Sequence, residues 1–139
     1  MRHKKDRRKL KRRSEERIAL MRALSRALIM HGRIRTTVQK AKEARRYVER
    51  LVTLARKAAA AEETKDAIAL RRRALAMLPD KPMIRKLFNV VAPLFADRNG
   101  GYTRIVRLPT RRLGDGAEEA FLEFVVPIPR TDEYGEVIS

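Results

Sequence analysis

Cysteine is absent, and with it go disulfides, thiolate metal sites and thiol nucleophiles. Histidine occurs only twice, so little is available for acid–base or metal chemistry. There is no phosphate-binding glycine loop, no histidine pair, no carboxylate cluster and no nucleophile beside a base. Gly100-Gly101 signals a tight turn and nothing more specific. Aromatic residues make up 5% of the chain, too few for the stacking platform of a single-strand binder. No apolar run approaches the roughly 18–20 residues a membrane helix needs, and the N-terminus lacks the apolar core of a secretory signal. These absences disfavour an enzyme, a metal, a cofactor, a small-molecule substrate and a membrane partner. A soluble intracellular chain is expected, and the lack of cysteine fits a reducing cytosol without requiring one.

What the sequence has in excess is positive charge. Its 139 residues carry 34 Lys and Arg against 17 Asp and Glu, a net of +17. One domain's worth of chain with that self-repulsion favours a polyanionic partner: nucleic acid, an anionic membrane surface or an acidic protein. The charge is uneven. Residues 1–13 hold nine basic and one acidic residue, a net of +8, whereas residues 114–139 hold seven acidic and one basic, a net of −6.

The first thirteen residues, with Leu10 their one sizeable apolar side chain after Met1, cannot offset their ordering entropy, so a disordered or extended arm is expected. Its Arg2, His3, Lys4, Lys5, Arg7, Arg8, Lys9, Lys11, Arg12 and Arg13 fit an arm that tracks phosphates. A solubilising tail is the bland alternative. Ser14 with Glu15 and Glu16 marks a helix start, and the helix runs to about Met30 with Gly32 just past its end. Its apolar face is broad, with Arg22 and Arg26 on the narrow polar side. Arg33-Ile34-Arg35-Thr36 alternates as a short strand does, and Thr36 and Thr37 stand where helix caps are favoured. A long helix follows over 38–60, with Val38, Ala41, Val48, Leu51, Val52 and Ala55 on its core face. Lys42, Arg46 and Arg50 stack along another stripe, readable either as solvated, with Glu43 and Glu49 interleaved, or as a polyanion track.

A third helix is expected over 66–78, where Arg71, Arg72 and Arg73 cannot all face one way. A fourth begins near Pro82 and carries Leu87, Phe88 and Phe95, with a kink at Pro93. Residues 102–108 and 119–126 read as an antiparallel hairpin joined by a loop over 109–116, with the Ile34 strand beside one of them. Arg104, Arg107, Arg111 and Arg112 make this hairpin basic. Residues 130–139 read as a loose acidic tail. The fold class is α+β: about four helices packed against a small, three-stranded, mostly antiparallel sheet.

Several segments together carry a family resemblance: Met1-Arg2-His3-Lys4, Ile34-Arg35-Thr36-Thr37, Lys40-Ala41-Lys42-Glu43-Ala44-Arg45-Arg46, Leu51-Val52-Thr53-Leu54-Ala55 and Gly100-Gly101-Tyr102-Thr103-Arg104-Ile105. In this order, over residues 1 to about 126, the chain resembles the bacterial large-subunit ribosomal protein L17 family. The resemblance implies an α+β protein that binds large-subunit rRNA near the outer side of the nascent-chain exit tunnel. It also implies a structural, non-catalytic role in the cytoplasmic ribosome, beside neighbouring large-subunit proteins. By the family motif, Arg2, His3, Lys4, Lys40, Lys42, Tyr102 and Arg104 are expected to face rRNA. The distributed basic positions Lys5 to Arg13, Arg22, Arg26, Arg33, Arg35, Arg46, Arg107, Arg111 and Arg112 join them. The expected organisation is an rRNA-binding arm (1–13), a globular domain (14–126) and an acidic extension (127–139) past the family's usual end. A DNA-binding architectural or regulatory protein is the second reading, although no clear helix-turn-helix pair is present.

Overall fold

The computed structural model describes residues 7–134 and 136–138. Among the described residues the order is α1 (Ser14–His31), β1 (Arg33–Thr37), α2 (Val38–Ala60), α3 (Thr64–Met77), α4 (Lys81–Lys86), a π turn (Leu87–Val91), α5 (Ala92–Leu94), β2 (Thr103–Arg111) and β3 (Glu118–Phe124). Since α4, the π turn and α5 run on as one rod, the fold is four helices on a three-stranded sheet, as expected. The sheet order is β1-β3-β2, antiparallel throughout, with Ile34 opposite Leu122 and Ile105 opposite Leu122 on its other side. Alternation puts Ala120, Leu122 and Phe124 on the inner face, and all three are buried.

The long helix α2 is the axis of the core. Val38, Ala41, Ala44, Val48, Leu51, Val52, Ala55 and Ala58 recur at three- and four-residue spacing and all are buried. Thr37 caps it, its Oγ1 accepting from the Lys40 N–H at 3.4 Å. Phe95 meets Tyr102 edge to face at 5.3 Å and Phe124 at 5.9 Å, joining the last helical turn to the sheet.

Four local details depart from the sequence reading. The cap of α1 is Arg13, not Ser14: Glu16 reaches back to accept the Arg13 N–H at 3.2 Å, while Ser14 is already in the first turn. The expected kink at Pro93 appears as the preceding π turn, in which the Ala92 N–H reaches Leu87 O. A widened turn relieves the clash between a proline ring and the carbonyl four residues back. Strand β2 continues through Pro109 to Arg111, where the sequence reads as a loop. It can do so because β2 is an edge strand, where a missing N–H faces outward, and its register shifts between Arg107 and Arg111.

The fourth departure is the described part of the C-terminal segment, which is held to the body at Pro129 and Thr131. Thr131 is 1% exposed and its N–H donates to Met30 O at 3.1 Å. Thr131 also bridges to Val137. Lys86, 2% exposed, sends its Nζ to Pro129 O (2.6 Å), Met30 O (3.1 Å) and Thr131 Oγ1 (3.3 Å). Burial pushes this ammonium down to about 8. Gly32 closes α1 in the left-handed region (φ 78°), and a Cβ there would meet the Ile128 backbone at 3.4 Å.

Candidate nucleic-acid interface

Two surfaces collect the basic side chains, and they differ in how much of their charge is already neutralised. The first is the outer face of the sheet, which no helix of the described residues covers. Here β3 presents Glu119, Phe121 and Glu123 between the arginines of both neighbours. Glu123 receives Arg104 from β2 at 2.7 Å and Arg33 from β1 at 3.3 Å. Arg35 pairs with Glu119 at 2.5 Å, and the Arg33 guanidinium lies 3.5 Å over the Phe121 ring. At the hairpin end Arg111 lies 3.3 Å from Glu118, which Arg107 approaches to 3.7 Å from the opposite, groove side, and Arg112 closes the loop onto Asp115. The hydrogen bond from Arg112 holds the Asp115 carboxyl well below its usual range, so this carboxylate stays charged. Five arginines, Arg33, Arg35, Arg104, Arg111 and Arg112, thus face four acids. The face is positive, but most of its cations are matched.

The second surface is an open groove between α2 and β2, lined by Arg8, Lys42, Arg45, Arg46, Glu49, Gly101, Ile105 and Arg107. Helical spacing brings Lys42, Arg45 and Arg46 to one side, one turn before Glu49. The carboxylate of Glu49 is engaged elsewhere, accepting from the Tyr102 N–H (3.3 Å), the Thr103 N–H (3.0 Å) and the Thr103 hydroxyl (2.8 Å). It therefore anchors the start of β2 against α2, and with it the strand that carries Arg107. Five cations converge there; Arg8 is already near Glu43 and Arg107 near Glu118, while the carboxylate of Glu49 is occupied with backbone. The geometry suits the phosphates of a nucleic-acid backbone, which asks for donors and positive charge without base-specific geometry.

Arg8 reaches the groove because the described part of the arm does not stand free. Residues 7–13 fold back onto the body: the Arg8 guanidinium donates to Gln39 Oε1 at 3.0 Å and lies 3.6 Å from Glu43. Leu10 packs against the core, and Leu10 and Lys11 take left-handed angles (φ 55° and 54°) at the turn. Arg7, Lys9, Lys11, Arg12 and Arg13 remain exposed along it. Arg2, His3, Lys4 and Lys5 lie outside the described residues.

The remaining expected positions separate. Lys40 is half-buried in the first turn of α2. Arg22 donates to Met77 O (3.0 Å) and Ala76 O (3.1 Å), holding the end of α3. Arg26 lies 2.6 Å from Asp80, the residue that caps α4. Both bind α1 to its neighbours, away from the groove. Tyr102, expected to face rRNA, requires correction: it is 1% exposed, its ring packs on Phe95, and its hydroxyl accepts from Arg56 at 2.9 Å. It is a core residue that fixes the groove's far wall. Counting four-residue steps from Lys42 misses Arg45; the three-residue step finds it. Among the described residues no group of three or more His, Asp or Glu side chains is placed to hold a metal. No helix of the described residues is long and apolar enough to cross a membrane.

Comparison with known proteins adds relatives to this geometry. The sequence model of the family Ribosomal protein L17 matches residues 20–125. A protein named large ribosomal subunit protein bL17 from Hydrogenobaculum sp. is 50% identical over 125 residues, spanning 90% of this chain and 99% of the relative. The protein of the same name from Thermus thermophilus is 46% identical over 125 residues, with 90% and 99% covered. That from Opitutus terrae is 50% identical over 125 residues, covering 90% of this chain and 73% of the relative.

Proposed function

The chain belongs to the ribosomal protein L17 family, and from that premise we propose that it is a structural, non-catalytic constituent of the large ribosomal subunit. In this reading it binds large-subunit rRNA, works in the cytoplasm and touches neighbouring large-subunit proteins. The relatives' names support the subunit, and the family resemblance alone supports a position near the exit tunnel.

The observation that carries rRNA binding is the groove between α2 and β2. Arg8, Lys42, Arg45, Arg46 and Arg107 line it, and its one acid, Glu49, is spent on the β2 backbone. We assign these five as the principal phosphate contacts, and we propose Arg2, His3, Lys4, Lys5 and Lys40 as further rRNA contacts. The matched arginines of the sheet face, Arg33, Arg35, Arg104, Arg111 and Arg112, form a second, weaker surface. Their intramolecular acids must be displaced or shared before a phosphate gains the full charge. Arg22 and Arg26 serve as braces.

Co-sedimentation tests the assignment. The full chain is expected to travel with large ribosomal subunits through a moderate-salt wash. It is also expected to bind protein-free large-subunit rRNA with an affinity that falls steeply with salt, as about 6–10 phosphate contacts require. A preference for a short DNA duplex over that rRNA would move the reading to a DNA-binding protein.

A further inference from the structure

Beside the groove lies a cavity of about 290 Å³, between the arm, α1 and α2. Its apolar lining comes from Leu10, Ile18, Met21 and Tyr47. Its rim carries Arg7, Arg8, Arg17, Arg46 and Arg50, with Glu43 the one acid. That acid is held at Arg8, which donates its backbone N–H to it and approaches it with its guanidinium. Ile18 is 47% exposed, an unusual place for a large aliphatic residue among so many arginines.

Arg8 and Arg46 line both the cavity and the groove. Arg8 is held between them by Gln39 and Glu43, so the two recesses open on either side of a shared cationic wall. A ligand that fills both needs an apolar end and an anionic end, with a short link between. A nucleotide has that form. We propose that the cavity receives one unpaired nucleobase of the bound RNA, while the adjoining phosphate lies on Arg8 and Arg46 in the groove. The proposal rests on the rRNA reading above and adds to it a single base read by shape. Low aromatic content excludes a track of stacked bases but not one pocket.

Two uncharged substitutions test it in the full chain. Ser14→Leu narrows the cavity from an exposed wall position, and Ile18→Gln makes its floor polar from a half-exposed one. Neither changes the phosphate-binding charge. The double variant is expected to melt like the wild type and to bind a fully paired RNA duplex with unchanged affinity and salt slope. Its affinity for protein-free large-subunit rRNA is expected to drop about tenfold, within the range that losing one stacked base costs. Unchanged rRNA affinity overturns the proposal. If that is joined by poor incorporation into reconstituted large subunits, a protein segment is the occupant instead. Failure of the rRNA reading itself shows separately, as a wild-type chain that binds rRNA without salt dependence.

Discussion

Lys86 Nζ donates to the Pro129 carbonyl at 2.6 Å, and this bond fastens the end of α4 to a segment whose acidity alone suggests a loose tail. Among the described residues the ammonium has no carboxylate beside it, only two carbonyls and a hydroxyl. Such acceptors satisfy its donors without repaying the full loss of hydration.

The consequence is a pH dependence with a definite sign. Burial lowers Lys86 from 10.5 to about 8, so between those values the unfolded chain holds a proton that the folded chain has lost. Stability therefore rises as pH increases through that window. Below about 8 both states are charged and the folded state bears the whole desolvation cost; above 10.5 both are neutral. Urea denaturation across that window is expected to show this rise in the wild type and a flatter profile in Lys86→Met. The general relief of positive charge with rising pH is nearly common to both chains and drops out of the comparison. Parallel profiles would mean that Lys86 is solvated.

Asp80 makes two contacts whose contributions can be separated. Its Oδ1 accepts the Met83 N–H at 3.3 Å and its Oδ2 lies 2.6 Å from Arg26. Arg26 is substantially exposed, so the ion pair contributes less than about 1 kcal/mol, whereas losing a cap costs about 1 kcal/mol. Asp80→Ala is expected to destabilise by about 1–2 kcal/mol and Asp80→Asn, which can still cap, by less than half of that. Equal losses in chemical denaturation would assign the effect to the charge.

Glu49 is the support of the groove. Asparagine or glutamine at 49 would keep an acceptor, but Glu49→Ala strands the backbone donors of Tyr102 and Thr103, and Thr103 is buried. At about 1–3 kcal/mol for a stranded buried donor, a loss of about 2–3 kcal/mol is expected in urea denaturation, with Glu49→Gln milder. Amide hydrogen exchange is expected to quicken at Thr103 and along β2. A stable Glu49→Ala with unchanged exchange would show that β2 docks without it.

These cases also show what was legible in the chain. The extent of α2 and most of its core face follow from periodicity, Ala44 and Ala58 excepted, and Thr37 announces its own cap. The three strands follow from alternation, and Arg71 duly lies against a neighbour, 5.2 Å over the Phe88 ring. Periodicity gives the face a residue occupies but not the partner it meets there. Lys86 sits one turn beyond the buried Met83, which hints at burial, yet nothing nearby in sequence announces Met30 O or Pro129 O. The extension of β2 past Pro109 depends on its being an edge strand, a fact of topology. Tyr102 lies in a motif shared with the family, and a motif marks core residues and contact residues alike. The groove itself needs Arg8, α2 and β2 together, and no single stretch displays it.

The last prediction sets the two basic surfaces against each other. Lys42→Gln/Arg45→Gln and Arg33→Gln/Arg104→Gln each remove two positive charges, one pair from the groove and the other from the sheet face. If phosphates lie in the groove, the first variant loses two contacts, and the slope of log affinity against log salt falls by about 1.4–1.8. On the sheet face, Arg33 and Arg104 already share Glu123, whose side chain is 16% exposed. Cations held by an intramolecular carboxylate release few counterions when RNA arrives, so the second variant is expected to change the slope by less than about 1. Filter binding to protein-free large-subunit rRNA across a salt series measures both. Equal slopes would mean that total charge, and not the groove, governs binding. A larger effect from the sheet variant would place the RNA on the open face of the sheet, with Glu123 as the group it displaces.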